Sequence, residues 1–450
     1  MGVHASQLRR SGLRPGVLAD FIILAVVHAA LCVFVRKHGF DHVSDDDFAR
    51  VTIAQAFAHK PRLDPSGTSW LPFPFWVHGG LMLVTGRSLL MARSVSIALA
   101  SVAATAPYVA MRQAGASRAG ALTGVAFAIL SPWSIWLGAT TVPESTTASL
   151  AAAGVIGLGM KDGGNARAAW WWAICLLAAC LSRYEPWPMA AVVAVVMAAR
   201  AVRKDGHGPR RVGLLLLVVL GPAFWMLWNA HAHGSAVHFF HRVSNFKRAI
   251  GEGASDPRAA LAMFPRLLFA ARPDVLVATL GALVFLFRKR IRDRWLFALL
   301  AVIAQIAFLA YGNMRDGAPA HHPERALLGA YFVLAMFAGD VLVDSAALGF
   351  AAWRPSIAPI LGVAGVVGAL FTANLPKFRT PPGTAPTEQR SAQIAAGKAL
   401  RREDPIGIVV TPCQYEHFAL IAELSKPERV DIRPKTDELV VKECPRVERR

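Results

Sequence analysis

The sequence is short of charge and short of cysteine. Of its 450 residues, 17% are charged, against about 25% in an average soluble domain. With 54% of residues hydrophobic, that shortage excludes a disordered chain and an ordinary soluble enzyme. Five cysteines are too few for a disulfide-built secreted module, and no CxxC or Cys/His spacing marks a structural zinc site. Cys32, Cys175 and Cys180 lie in apolar runs and read as small core residues. Acidic residues are the scarcer sign, 29 Asp+Glu against 48 Lys+Arg, a net charge of +19. No nucleic-acid-binding module accompanies this excess. It reads instead as the basic cytoplasmic loops of a polytopic membrane protein with no nucleic-acid partner. Internal repeats and long low-complexity tracts are also missing.

What is present is a series of apolar runs. Candidate spans are 17–35, 94–111, 119–138, 145–160, 168–182, 186–201, 212–230, 272–287, 295–311, 326–343 and 356–374. Several fall short of the roughly 20 residues a spanning helix needs. The first follows Arg9, Arg10 and Arg14 without a clear cleavage site and reads as an uncleaved helix. The run 70–86, WLPFPFWVHGGLMLVTG, is short and broken by Pro72, Pro74, His78, Gly79 and Gly80. The basic loops decide its place. If 70–86 does not cross, RAVRKDGHGPRR and RKRIRDR share the cytoplasmic side with the N-terminus; if it crosses, both fall outside, against the positive-inside bias. The segment is therefore expected to be interfacial or re-entrant, leaving eleven spans. On that count SDDDFAR, TVPES, SRYEPW, the 231–271 loop and HHPER share the extracytoplasmic face.

Composition changes near residue 375. A proline-rich linker leads into a helical stretch (386–402), a strand-like IGIVV (406–410), a second helix (414–425) and two strand-like pieces, RVDIRP and ELVVKE. The expected organisation is an α-helical polytopic membrane domain, 1–374, followed by a small extracytoplasmic α/β domain, 375–450. Cys413 and Cys444 are candidate partners in that oxidising compartment.

The outer turns hold the candidate chemistry. Ser44 and Asp47 fit a capping box, with Asp45 and Asp46 in the first turn of a helix whose apolar residues Phe48, Val51, Ala54 and Phe57 suit a membrane surface. Three adjacent carboxylates repel one another, which favours a raised pKa and a general base. With Asp47 engaged as the capping partner, Asp45 and Asp46 are left freer as candidate bases. Glu144, in TTVPEST, stands at another helix start, where a helix dipole alone would favour an acid. Arg183 and Glu185 lie at headgroup depth between Tyr184 and Trp187; the pattern fits a surface ion pair in an aromatic belt or an anion site for a lipid phosphate. His321, His322 and Arg325 open another span near a helix N-terminus, which attracts phosphate. His238 and His241, three apart, join Asp46 and Glu144 as candidate ligands for a divalent metal, though such histidines are more often interfacial.

The order and sidedness of these motifs resemble the C-type glycosyltransferase superfamily, which includes protein O-mannosyltransferases and bacterial aminoarabinose transferases. The resemblance covers about residues 17–345. Asp45-Asp46-Asp47 matches the acidic motif of the first outer loop, Glu144 the second-loop acid, and Arg183 a phosphate-contacting basic position. This chain has Asp-Asp-Asp where Asp-Glu is more usual, and Glu where several relatives have Asp. The resemblance implies transfer of a sugar from a polyprenyl-phosphate-linked donor to a lipid, glycan or protein acceptor. Transfer would take place on the extracytoplasmic face of the plasma membrane. One carboxylate would deprotonate the acceptor hydroxyl, and cations would stabilise the departing lipid phosphate. A secondary transporter would need midplane charges, broken helices and a repeat between halves. A lipid-linked oligosaccharide polymerase or ligase shares the outer-face site and the prenyl carrier, and a non-catalytic scaffold would not need acids on two separate outer turns.

Overall fold

A computed structural model describes residues 15–159, 166–202, 208–249, 256–315, 323–349, 390–412, 414–433 and 446–449. The expected span 356–374, the N-terminal arginines, His321, His322, Cys413 and Cys444 lie outside the described residues.

Helices dominate. In chain order they are α1 (Pro15–Lys37), α2 (Asp46–His59), α3 (Phe73–Thr85), α4 (Leu89–Gln113), α5 (Arg118–Ile129), α6 (Pro132–Gly138), α7 (Glu144–Gly159), α8 (Ala166–Cys180), α9 (Pro186–Ala201) and α10 (Gly208–His233). After these come α11 (His238–Ala249), α12 (Pro257–Ala271), α13 (Pro273–Leu283), α14 (Lys289–Met314) and α15 (Leu328–Gly349). Local chemistry sets many starts. Ser88, Ser117 and Ser131 accept hydrogen bonds from the first-turn amides of α4, α5 and α6. Proline occupies the first turn of α6, α9, α12 and α13, where no amide donor is needed.

Among the described residues, five helices are long and apolar enough to cross a membrane: α1, α4, α10, α14, and α15 with its preceding turn. Counting two bent pairs as spans gives up to seven. The run 119–138, expected as one span, is broken by 71° where Ser131-Pro132 ends α5 and starts α6. Helices α7, α8 and α9 have 16, 15 and 16 residues, which at 1.5 Å per residue is about 24 Å at most. The run 70–86 forms α3, a helix of only 13 residues packed on α2.

The core centres on α7, buried almost all round and packed by α4, α8, α9, α14 and α15. Small residues permit the close approaches. Gly120 and Gly124 lie four apart on α5. A Cβ on Gly124 would come within 2.7 Å of the Met336 carbonyl, and one on Gly120 within 2.7 Å of Asp340 Oδ1. Gly157 meets the Trp172 indole, where a Cβ would lie 2.3 Å from Cγ.

At the end of the bundle opposite the outer turns, buried charges are paired. Asp20 accepts from Tyr108 Oη and takes both Arg118 Nε (2.9 Å) and Nη2 (2.7 Å). Asp340 accepts from Arg294 and from Trp295 Nε1 (2.8 Å), while Arg294 Nη2 donates to the Gly115 carbonyl at 2.6 Å.

The described part of the tail contains α16 (Ser391–Glu403), α17 (His417–Leu424) and three strands, β1 (Ile408–Thr411), β2 (Val430–Ile432) and β3 (Arg446–Arg449). Strand order is β2-β1-β3, with β1 parallel to β2 and antiparallel to β3. Leu400, Ile408, Val410, Leu420, Ile421 and Leu424 form its core. The expected strand ELVVKE lies outside the described residues, and 446–449 pairs with β1 in the register Val409↔Glu448.

The apolar face of α2 corrects one expectation. Phe48, Val51 and Ala54 face protein rather than a membrane surface: they pack with Met82, Leu89 and Ala92 and with Ala419 and Ala422 of α17. Gln55 Nε2 donates to both Arg87 O and Ala422 O at 2.7 Å. Arg87 forms a two-pronged pair with Glu428, and Arg390 another with Asp45, all at 2.8–2.9 Å. The tail is thus docked on the helix that begins with the acidic run.

Candidate active site

Four outer turns converge. The Asp45-Asp46-Asp47 run starts α2, Glu144 begins α7 ahead of the apolar segment 145–160, Arg183 lies between α8 and α9, and Arg325 lies in a short 3-10 turn before α15. Each turn is held by its own bonds. Tyr184 Oη donates to Ser69 O at 2.6 Å and accepts from Trp225 Nε1 at 3.0 Å, and its ring stacks on Phe239 at 4.5 Å, which anchors the Arg183 turn.

Asp47 joins the first two turns. Its Oδ2 accepts from the Val43 amide at 2.8 Å and the Ser44 amide at 3.4 Å, while Oδ1 accepts from the Thr141 amide at 3.1 Å. Asp47 does turn back on Ser44, as a capping box requires. The Ser44 hydroxyl does not cap; the helix begins after Asp45, and Ser44 Oγ accepts from Arg325 at 3.4 Å. Burial raises the Asp47 carboxyl above its ordinary value, against His42 and its amide donors.

Glu144 is the hub. Its Oε1 accepts from Arg183 Nη1 at 2.7 Å and from Arg325 Nε at 3.0 Å, with a further bond from Arg325 Nη2. Burial opposes ionisation here. Arg183, Arg325 and Arg50 outweigh it and hold the carboxyl at about 2. Arg183 is shared: its Nε also donates to both Glu185 oxygens at 3.0–3.1 Å. Arg183 and Arg325, expected to face a lipid phosphate, are thus engaged with carboxylates.

Beside this cluster lies a cation that the motifs did not single out. Arg50 is 6% exposed, and its guanidinium has no hydrogen-bond partner among the described residues. It lies over the Trp70 ring at 4.3 Å and near the Phe75 ring at 5.6 Å. Burial draws it down to about 10, against the opposing fields of Glu144 and Asp46, so it stays charged at neutral pH. It borders a cavity lined by His78, Pro74 and Thr141. The available signal was spacing: Arg50 follows Asp46 by four residues on one helix face.

The carboxylates of the acidic run have separate fates. Asp45 is taken by Arg390 of the tail, whereas Asp46, half-buried, makes no hydrogen bond or ion pair among the described residues. Its charge is felt at Arg50 and Arg183. The four-residue metal set is not gathered. Among the described residues no group of three or more His, Cys, Asp or Glu is arranged to hold a metal ion, and His238 stacks on His233 at 4.2 Å.

No protein-family model matches the chain, and a search of curated proteins finds no match. Solved structures do match. The chain is similar to ArnT from Cupriavidus metallidurans bound to undecaprenyl phosphate, at 14% identity and TM-score 0.51, covering 92% of this chain and 76% of that one. It is likewise similar to ArnT from the same organism in the apo state, at 14% identity and TM-score 0.52, covering 92% and 75%. The chain thus has the helical-bundle fold of ArnT, with several helices long and apolar enough to cross a membrane.

Proposed function

We propose that this protein is a glycosyltransferase that moves a sugar from a polyprenyl-phosphate-linked donor to an acceptor hydroxyl on the extracytoplasmic face of the membrane. The observation that carries this reading is the placing of Arg50 four residues after Asp46 on α2, both unbonded among the described residues. Among the described residues, a buried guanidinium without a hydrogen-bond partner stands one helical turn from a carboxylate without one, while Arg183 and Arg325 are already bound to Glu144 and Arg183 also to Glu185. Burying a charge with empty donors is costly unless a ligand fills them. Arginine's planar fork suits phosphate. The ArnT structure holding undecaprenyl phosphate supports a lipid phosphate as that ligand.

The chemistry follows from this placement. The acceptor oxygen attacks the anomeric carbon, and the bond from that carbon to the lipid phosphate oxygen breaks. The phosphate leaves with the electron pair, and Arg50, backed by Arg183 and Arg325, stabilises the developing charge. Asp46 takes the acceptor proton. Glu144 orients the arginines. The proposal includes eleven spans, a cytoplasmic N-terminus, a membrane domain of 1–374 and an extracytoplasmic tail of 375–450.

Two measurements test the reading. Purified protein should bind undecaprenyl phosphate and lose that binding in Arg50→Ala. Mass spectrometry of envelope lipids, glycans and proteins from a deletion strain should show loss of one sugar modification. An unchanged profile together with no lipid binding would refute the assignment.

A further inference from the structure

Beneath Glu144 lies a second cavity, between α7, α9, α14 and the start of α15, bordered by Glu144, Thr147, Gln305 and Gly329 and by Arg183, Glu185 and Arg325, whose charged groups are already engaged with one another or with Glu144. Its polar walls differ in kind from those beside Arg50. Glu144 Oε2, Gln305 Oε1 and Thr147 Oγ1 are buried and find no hydrogen-bond partner among the described residues. Glu144, Thr147 and Gln305 are 2%, 3% and 2% exposed. Gln305 Nε2 is already spent on the Ala326 carbonyl at 2.9 Å, so the amide oxygen is the group left to the cavity. Two of the three unfilled atoms are pure acceptors, and the hydroxyl can serve either way.

Acceptors repel an anion and require a donor. We infer that this cavity is a subsite for a hydrogen-bond-donor group, a hydroxyl or amine, of the sugar carried by the donor lipid, with Gln305 and Thr147 as its specificity-determining residues. The inference rests on the donor-lipid reading above and deepens it. Arg50 offers only donors and takes the phosphate; Glu144 Oε2 and Gln305 Oε1 offer only acceptors and take the neutral or cationic end. The space suits a single group of about water or hydroxyl size, so the subsite reads one substituent rather than enclosing a whole ring. A sugar that lacks the donor leaves buried acceptors unpaired, the situation in which binding sites discriminate most strongly. Gly329 closes one wall: a Cβ there would sit 3.4 Å from both Gln305 amide atoms and 3.7 Å from Met189 Cε.

The test compares two kinds of probe on the purified full-length protein by native mass spectrometry. One is undecaprenyl phosphate; the other is undecaprenyl phosphate bearing a hexose, a pentose or an amino sugar. Wild type should prefer at least one glycosylated lipid over undecaprenyl phosphate. Gln305→Leu and Thr147→Val should each cut that preference by about five- to tenfold, the loss of one buried hydrogen bond, while undecaprenyl phosphate binding changes less than about twofold. Gly329→Ala, which narrows the space without touching a polar group, should act in the same direction. Wild-type binding to neither probe would remove the donor-lipid reading itself. Lipid binding with no preference for any sugar, or a preference that survives both variants, would overturn the subsite alone and leave a cavity that holds only water.

Discussion

Two charged clusters occupy opposite ends of this bundle and are made of the same residue types. At one end Asp20 meets Arg118 and Tyr108, and Asp340 meets Arg294 and Trp295. At the other, Glu144 meets Arg183 and Arg325, while Arg50 and Asp46 have no hydrogen-bond partner among the described residues. The first cluster spends its charges on joining helices: Arg294 reaches from α14 to α15 and to the turn before α5. The second uses its paired charges to build a platform and keeps one cation and one carboxylate in reserve. Burial and charge density alone do not separate structure from site here. Nor do single unfilled atoms, since Arg294 Nε and Asp340 Oδ1 lack partners as well; the difference is that Arg294 and Asp340 bind each other through their remaining atoms, whereas Arg50 and Asp46 make no hydrogen bond at all among the described residues.

The largest effect expected from this contrast is on turnover. Asp46→Asn should lower the transfer rate by about 100- to 10,000-fold, the usual cost of a general base, with thermal stability and undecaprenyl phosphate binding unchanged. Near-normal turnover of purified Asp46→Asn would mean that the unpaired carboxylate is a bystander, and the contrast between the clusters would lose its functional meaning.

The opposite end should behave in reverse. Asp340→Ala leaves the Arg294 guanidinium buried without its main partner, at a cost of about 3–5 kcal/mol. Thermal unfolding in detergent should show the loss directly. Whatever fraction stays folded should bind undecaprenyl phosphate as wild type does. Weakened lipid binding in folded Asp340→Ala would couple the two ends and break the division between them.

Asp47 lies between these extremes. A capping role alone would make Asp47→Asn cost about 1 kcal/mol. The carboxylate also accepts the Thr141 amide and joins two outer turns, so the expected loss is about 1–3 kcal/mol, with a fall in turnover because the turn carrying Glu144 shifts. A stability loss with unchanged turnover would return Asp47 to a cap.

Much of this was legible before any coordinates. Glu144, Arg183 and Arg325 stand out in sequence because a membrane protein confines its polar residues to turns, and parity assigns those turns to one face. Arg50 stayed hidden because, on an amphipathic helix, one arginine resembles any residue of the polar face; only the absence of a partner in three dimensions marks it. Thr147 and Gln305 stayed hidden for a related reason. A lone polar residue in an apolar run does not reveal whether its atoms are satisfied. The docking of the tail was also invisible. Phe48, Val51 and Ala54 fit a membrane surface by period, yet they face Ala419 and Ala422, and a helical period identifies a buried face without naming what covers it.

The smallest expected effect concerns that docking. Asp45 and Arg390 form a two-pronged pair, 345 positions apart in sequence, between the acidic run and the tail. Both side chains are partly exposed, 19% and 12%, so the pair should contribute only about 1 kcal/mol. Its consequence is local. Arg390→Gln should lower stability in thermal unfolding by no more than about 1 kcal/mol, and Asp45→Asn should do the same. The double variant Asp45→Asn/Arg390→Gln should cost no more than either single change, because both remove one interaction. Hydrogen exchange should still find α2 protected in all three variants, since Gln55 and the apolar contacts with α17 remain. Additive losses in the double variant would mean that the two side chains act separately. If any of the three strips protection from α2, the tail is held by this pair far more than its exposure allows.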